Sequence, residues 1–287
     1  MPQHERSPDE VVRVGAGLTG EHSQHCDREQ HASHGATVAR LCAAAGIALL
    51  AAACQHDLGD IDGIFYDGDN RKVHCGANLD DRANNSLASV DTALDRAAER
   101  EQVVELYAHN PGVTVPIATL EHVLAGARDR GLPFVTYAEL AAGHPGGAGI
   151  ALSFDDQFVA AWSALRPLLA EYGARVTFFV SRYHQLPEDL HIQLHELAAD
   201  GHDVAAHSVL HFRAPDYVED HGLAAYMKDE VLPSIQILRD EGFNVTSFAY
   251  PFGARTSELD DAILEHVGVV RSVAFSYDGT VQSACPH

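Results

Sequence analysis

Basic residues are scarce in this chain. Lysine and arginine number 19 against 41 aspartates and glutamates, so its 287 residues carry a formal charge of −22. That balance excludes a phosphate-tracking nucleic-acid binder, which needs clustered basic side chains. A neutral or cationic substrate suits such a surface better. Cysteine is sparse and wrongly spaced for a zinc motif: Cys26, Cys42, Cys54, Cys75 and Cys285 form no C-x-x-C pair. The apolar run over residues 41–53 is too short to cross a bilayer as a helix. What remains is a globular composition, 46% hydrophobic and 21% charged, with length for one large domain or two small ones.

The first residues differ from the rest. Residues 1–37 are polar and carry His4, His22, His25, His31 and His34 without apolar periodicity. They are expected to be a disordered or mis-annotated upstream segment, translation then starting at Val38; a metal-binding tail is the competing reading. Residues 38–54 place Arg40 before about a dozen apolar residues and end in small ones, the layout of a secretory signal. Their end resembles a bacterial lipobox, with Cys54 as the lipidated residue and Ala51 where leucine is usual. The competing reading is a buried Ala/Leu helix. An exported chain implies an extracytoplasmic location, secreted or attached to the envelope membrane through lipid on Cys54. It also favours a disulfide between Cys75 and Cys285, the cysteines left in the mature chain. Residues 55–101, with Asp57, Asp60, Asp62, Asp67 and Asp69 among glycines, read as an acidic linker with a short helix over 89–101. The Asp67–Asn70 stretch lacks the spacing of an EF-hand.

Beyond residue 102 strand and helix signals alternate. Strand-like runs cover 103–109, 133–137, 150–155, 175–180, 203–207, 245–250 and 269–276. Helical patterns cover 117–130, 157–172, 190–200, 222–240 and 257–267, several closed by glycine. Parallel strands with helical crossovers follow, and about seven units build an α/β barrel, complete or not. Working residues of such barrels sit at the C-terminal strand ends. His109, Asp155, Asp156 and His207 all fall there. His207 and His211 are four residues apart and can reach one ion. Two histidines and one aspartate form a divalent-metal set with open positions, and the second aspartate is free to act as a base.

These residues resemble the polysaccharide deacetylases of carbohydrate esterase family 4, with a NodB-type homology domain. Ser153-Phe154-Asp155-Asp156 is similar to the first motif, Thr-Phe-Asp-Asp followed by Gly. His207-Ser208-Val209-Leu210-His211 fits the second, H-[ST]-x-x-H. Phe248-Ala249-Tyr250-Pro251-Phe252-Gly253 resembles the third, often Arg-x-Pro-Tyr-Gly. The resemblance implies a catalytic domain over 102–287 with a distorted (β/α)7-type barrel of the deacetylase and glycoside hydrolase kind. It implies Asp155 as general base and Asp156, His207 and His211 as metal ligands, usually to Zn2+, with Co2+, Ni2+ or Fe2+ also accommodated. The backbone N–H near Phe252 would stabilise the oxyanion, with Tyr250 beside it in the groove. No Leu-x-His motif follows the third motif. Leu106-Tyr107-Ala108-His109 precedes the first instead, an order similar to the permuted deacetylases of biofilm poly-N-acetylglucosamine, and it makes His109 the general acid.

The expected activity is metal-dependent removal of N-acetyl groups from an extracytoplasmic N-acetylglucosamine-containing polysaccharide or oligosaccharide, by a monomer. An O-acetyl esterase acting on acetylxylan and a catalytically weak carbohydrate-binding relative are the alternatives. Two departures favour the last. Gln157 replaces the glycine after the aspartate pair, and Ala249 stands near the place of the arginine that orients the base. Arg255 and Arg271 are candidates to supply that charge.

Overall fold

The computed structural model describes residues 57–274 and Cys285. The expectations for residues 1–37 and 38–54, and for lipid on Cys54, lie outside these residues. Two 3-10 turns, Leu58–Asp60 and Asp62–Ile64, lead into β1 (Phe65–Tyr66) and β2 (Val73–Asn78). Helix α1 (Leu87–Glu99) starts at Ser86, whose hydroxyl accepts the Ser89 N–H. Next come β3 (Val103–Ala108), α2 (Ile117–Asp129), α3 (Tyr137–Ala141) and β4 (Gly149–Asp156). The pattern over 157–172 forms two short helices, α4 (Val159–Ala164) and α5 (Arg166–Glu171); Pro167 at the start of α5 has no N–H to continue the ladder. Then follow β5 (Thr177–Val180), α6 (Glu188–Ala199), β6 (Asp203–Ala206) and α7 (Ala214–His221). The long helical pattern over 222–240 is α8 (Leu223–Tyr226), a π-helical turn (Met227–Val231) and α9 (Leu232–Asp240). β7 (Ser247–Ala249), α10 (Ser257–Leu264) and β8 (Val269–Val273) complete the order. No helix among the described residues is long and apolar enough to cross a membrane.

The order β3-β2-β8-β7-β6-β5-β4 closes on itself through β3–β4 pairing, giving a barrel of seven parallel strands. β1 adds antiparallel to the lower half of β3, with Phe65 opposite Val104. The barrel is uneven: β3 and β4 pair from Val103–Gly149 to Ala108–Phe154, whereas β6 and β7 meet only at Ala206–Phe248.

Strand alternation sorts the side chains. Val104, Leu106, Leu152, Phe154 and Phe178 face the helices and join the main core. Tyr66, Val103, Ala151, Phe179, Ala205, Ala249 and Val269 form a separate small cluster. The same strands bury polar groups. Glu105 lies 2.8 Å from His74 Nδ1 and accepts the Tyr137 hydroxyl at 2.8 Å. Burial and the Glu105 charge push the Tyr137 hydroxyl far above its ordinary value.

Two expectations need correction. Residues 55–101 are not a linker, because Val73–Asn78 is a barrel strand between β3 and β8. Its composition hid it: His74 is hydrogen-bonded to Glu105, and Gly76 leaves room for the Tyr107 ring, whose Cδ1 would lie 3.0 Å from an added Cβ. Conversely, residues 133–137 are not a barrel strand. Only Phe134 bridges to Ile150, and Thr136 starts α3 with a reciprocal cap to Glu139. The seventh strand is therefore β2.

Cys75 and Cys285 are disulfide-bonded across a separation of 210 residues, their Cα atoms 5.9 Å apart. Gly63 allows the approach, since a Cβ there would lie 2.7 Å from Cys285 Cβ. Replacing Cys285 by Ser is expected to lower unfolding stability by about 2–4 kcal/mol, read from urea midpoints under oxidising conditions. An unchanged midpoint would show that the bridge adds nothing.

Candidate active site

The C-terminal strand ends gather His109, Asp155, Asp156 and His207, with His211 in the loop beyond β6. Asp156, His207 and His211 offer ligand atoms all within 4.8 Å of one another. Asp156 Oδ1 lies 3.0 Å from His211 Nε2 and 3.6 Å from His207 Nε2. Ligands at zinc-like bond lengths in a tetrahedron sit roughly 3.4 Å apart, so the spacing fits an ion. Asp156 Oδ1 is moreover buried without a well-formed hydrogen bond, as a ligand oxygen awaiting a cation would be.

The local backbone explains the cluster. Asp156 ends β4 with φ of 86°, which turns its side chain away from that of Asp155, and its carbonyl accepts the Ser181 N–H at 2.8 Å. His207 Nδ1 donates to the Ala249 carbonyl at 2.8 Å, so its proton is on Nδ1 and Nε2 is free to bind. Burial pushes the His211 imidazole below its ordinary value, against the pull of Asp156, and favours the neutral ligand form.

Asp155 is 2% exposed and points into the barrel. Both its oxygens contact Nη2 of Arg271, a fully buried residue of β8. The Arg271 guanidinium lies 4.8 Å from the Tyr107 ring centroid and 5.1 Å from that of Phe179, two faces that favour a cation. Burial weakens a charged guanidinium, but Asp155 more than compensates and holds Arg271 above its ordinary value. The charge absent at Ala249 therefore comes from the neighbouring strand, where Arg271 is in register with Ala249. Arg255 is not the donor, because it forms a buried pair with Asp260.

His109 Nδ1 lies 2.5 Å from Asp80 Oδ2. Asp80 is buried and also accepts the Thr114 hydroxyl at 2.8 Å and the His109 N–H at 3.2 Å. Burial opposes a charged imidazole, but the Asp80 hydrogen bond and the charges of Asp155, Asp80 and Asp156 outweigh it and raise His109 above 6.5. Asp80 escaped the sequence reading because it follows the unrecognised strand β2. Trp162, fully buried against Phe178, also donates its indole N–H to the His109 carbonyl at 2.9 Å.

The third-motif turn runs Pro251–Gly253, with Phe252 at φ of 60° and 57% exposed. Gly253 N–H donates to the Tyr250 carbonyl and Ala254 N–H to that of Pro251, while Pro251 has no N–H. The Phe252 N–H is thus the donor that the turn does not use internally, and its ring packs 4.7 Å from that of His211. Tyr250 needs correction as a groove residue. It is fully buried, and its hydroxyl donates to Asp260 at 2.9 Å, on the side of Arg255 rather than His211. Gln157 accepts from Arg182 Nη1 at 3.3 Å and precedes α4 rather than opening it.

Residues 142–269 match the family described as polysaccharide deacetylase, a span that includes Asp155, Asp156, His207, His211 and Phe252. Over residues 142–269 the chain carries a polysaccharide deacetylase domain. Asp80, His109 and Arg271 lie outside the matched span, so their places in this deacetylase domain rest on geometry. The fold is similar to that of IcaB from Ammonifex degensii, at 20% identity and a TM-score of 0.50 over 62% of this chain and 93% of that one. It is likewise similar to a polysaccharide deacetylase from Bacillus cereus, at 17% identity and a TM-score of 0.50 over 64% of this chain and 62% of that one. A gellan lyase of Bacillus sp. is 31% identical over 112 residues, 38% of this chain. The chain spans only 4% of that lyase's length.

Two outcomes follow for the deacetylase domain without substrate. Arg271→Met leaves a buried carboxylate without its partner and should destabilise the fold by about 3–5 kcal/mol in urea titrations. The His109–Asp80 pair gives a signed pH dependence. His109, raised above 6.5, adds stability that is complete below pH 6.5 and lost as pH rises through its folded value. Asp80, lowered below 3.8, adds stability present above pH 3.8 and lost as pH falls through its folded value. Asp80→Asn should therefore be most destabilising between about pH 4 and 6.5. It should also lower the His109 titration midpoint seen by NMR.

Proposed function

We propose that this chain is a metal-dependent deacetylase that removes N-acetyl groups from an N-acetylglucosamine-containing polysaccharide outside the cytoplasm. The observation that carries this reading is the convergence of three elements on one barrel mouth. They are a three-ligand cluster, an arginine-held carboxylate beside it, and an aspartate-paired histidine. A divalent metal, with Zn2+ the best fit to one carboxylate and two imidazoles, would polarise the acetyl carbonyl and acidify water there.

The chain's own groups supply the rest. Asp155, held by Arg271, accepts the proton of the attacking water. The Phe252 N–H points its dipole at the oxygen on which negative charge develops. His109, whose charged form is favoured by the Asp80 hydrogen bond, would deliver its proton to the departing nitrogen. That last point favours an amide over an ester, because an amine must be protonated before it can leave. Phe252, exposed beside His211, offers an apolar face to a sugar ring.

The Arg271–Asp155 pair supports catalysis over mere binding, since it meets the need left by Ala249. The Cys75–Cys285 disulfide supports an oxidising compartment. Attachment through lipid on Cys54 remains part of this proposal, as does action as a monomer.

Acetate release from N-acetylglucosamine oligomers, measured with Zn2+ and after chelation, tests the reading. Release should need the metal, vanish in Asp155→Asn with Zn2+ still bound, and vanish together with Zn2+ in His207→Ala. Zn2+ bound at one equivalent with no release from these oligomers, but release from acetylxylan, would replace the amidase with an esterase. Binding of oligomers without release from either would identify a binding protein.

A further inference from the structure

The loop that carries both histidine ligands has a costly backbone. Ser208 and His211 have φ of 64° and 66°, a left-handed conformation that non-glycine residues keep only where their surroundings impose it. Four contacts impose it. Ser208 Oγ accepts the His211 N–H at 3.0 Å, and the Arg182 N–H donates to the Val209 carbonyl at 3.1 Å. Arg182 Nη2 donates to the Leu210 carbonyl at 3.2 Å in an exposed contact. Glu230 Oε2 accepts the Leu210 N–H at 2.8 Å.

Glu230 differs from the others. It reaches the loop from 20 residues away, and its side chain is 1% exposed. A carboxylate taken that far from water is stable only where donors meet it. The π-helical turn Met227–Val231 brings it there. Pro233, two residues past that turn, lacks an N–H and would clash with the carbonyl of Asp229 in a regular α-helix. Widening the helix by one residue relieves the clash and shifts the register of the side chains before it. Glu230 then faces the ligand loop, while its neighbour Asp229 takes an exposed hydrogen bond from Tyr217.

We propose that Glu230 is a positioning residue for the metal centre. It clamps the amide of Leu210, holds His211 in its left-handed conformation, and so keeps His211 Nε2 beside Asp156 before any ion binds. The proposal rests on the metal-site reading above, and not on the identity of the substrate. Its cost and benefit fall on metal affinity, because a wandering His211 must be ordered again at each binding event.

The test is the Zn2+ affinity of the full chain, by competition with a chromophoric chelator, well below each variant's melting temperature. Glu230→Asp retracts the carboxylate by one methylene, Glu230→Ala removes it, and Glu230→Gln keeps an acceptor oxygen at the same reach. The Asp and Ala variants should bind Zn2+ about 10-fold or more weakly at unchanged stoichiometry, with Gln closer to wild type than either. A purely structural role would instead lower the melting temperatures and leave affinity alone. Asp and Ala variants that fold and bind Zn2+ as tightly as wild type would overturn the proposal. Should Ala not fold, the Asp variant decides alone. Wild-type protein that binds no Zn2+ would overturn both this proposal and the metal site. Affinities in the expected order, without acetate release by wild type, would support the positioning role and remove only the proposed reaction.

Discussion

The ion pair between Asp155 and Arg271 is the constraint around which the mouth of the barrel is arranged. Both groups are buried, and neither is stable there alone. The surroundings are shaped to fit them. Tyr107 and Phe179 present ring faces to the guanidinium. Gly76 and Ala249, on the strands flanking β8, are small enough to leave the arginine its space. A Cβ at Gly76 would already lie 3.7 Å from Arg271 Cδ. With Asp155 tied inward, Asp156 is free to turn outward through its left-handed backbone toward His207 and His211. One adjacent pair of carboxylates thus acquires two settings, one facing an arginine and the other two imidazoles.

The rest of the mouth repeats the same logic of a polar group held by a second one. His207 is oriented by the Ala249 carbonyl, and His109 by Asp80. Asp80 is fixed in turn by Thr114 and by the His109 amide. Deeper in the barrel the buried pair His74–Glu105 is completed by Tyr137. The interior is therefore not a uniform apolar core. Its few apolar residues, such as Val103, Phe179 and Val269, share the space with charges that must be matched in sign and reach.

Much of this was legible in the residues. The runs at 150–155, 175–180 and 203–207 are apolar because helices cover them, and they became β4, β5 and β6. The H-S-V-L-H spacing and the aspartate pair announced the ligand cluster, since few other arrangements place three such donors at strand ends. Three features were hidden for physical reasons. β2 reads as polar because the inward-facing His74 finds its partner, Glu105, 31 residues away, and Gly76 is small to make room for Tyr107. Asp80 was masked in turn, since only the strand before it reveals that it stands at a strand end. Arg271 and Arg255 could not be told apart by spacing, because the choice depends on which strand lies next to Ala249. Tyr250 was misplaced for a similar reason: its motif position says nothing of Asp260, the buried carboxylate that draws its hydroxyl away.

The central claim is that Arg271 does the work of the arginine missing at Ala249, by fixing the carboxylate of Asp155 in one place. Arg271→Lys keeps the positive charge but loses the planar fork and its stacking on Tyr107 and Phe179. The decisive measurement is kcat for acetate release by this variant and by wild type at equal Zn2+ occupancy. The account predicts a fall on the order of 100-fold with Zn2+ affinity unchanged, because a base displaced by about 1 Å loses its alignment with the water. A kcat equal to that of wild type would contradict it.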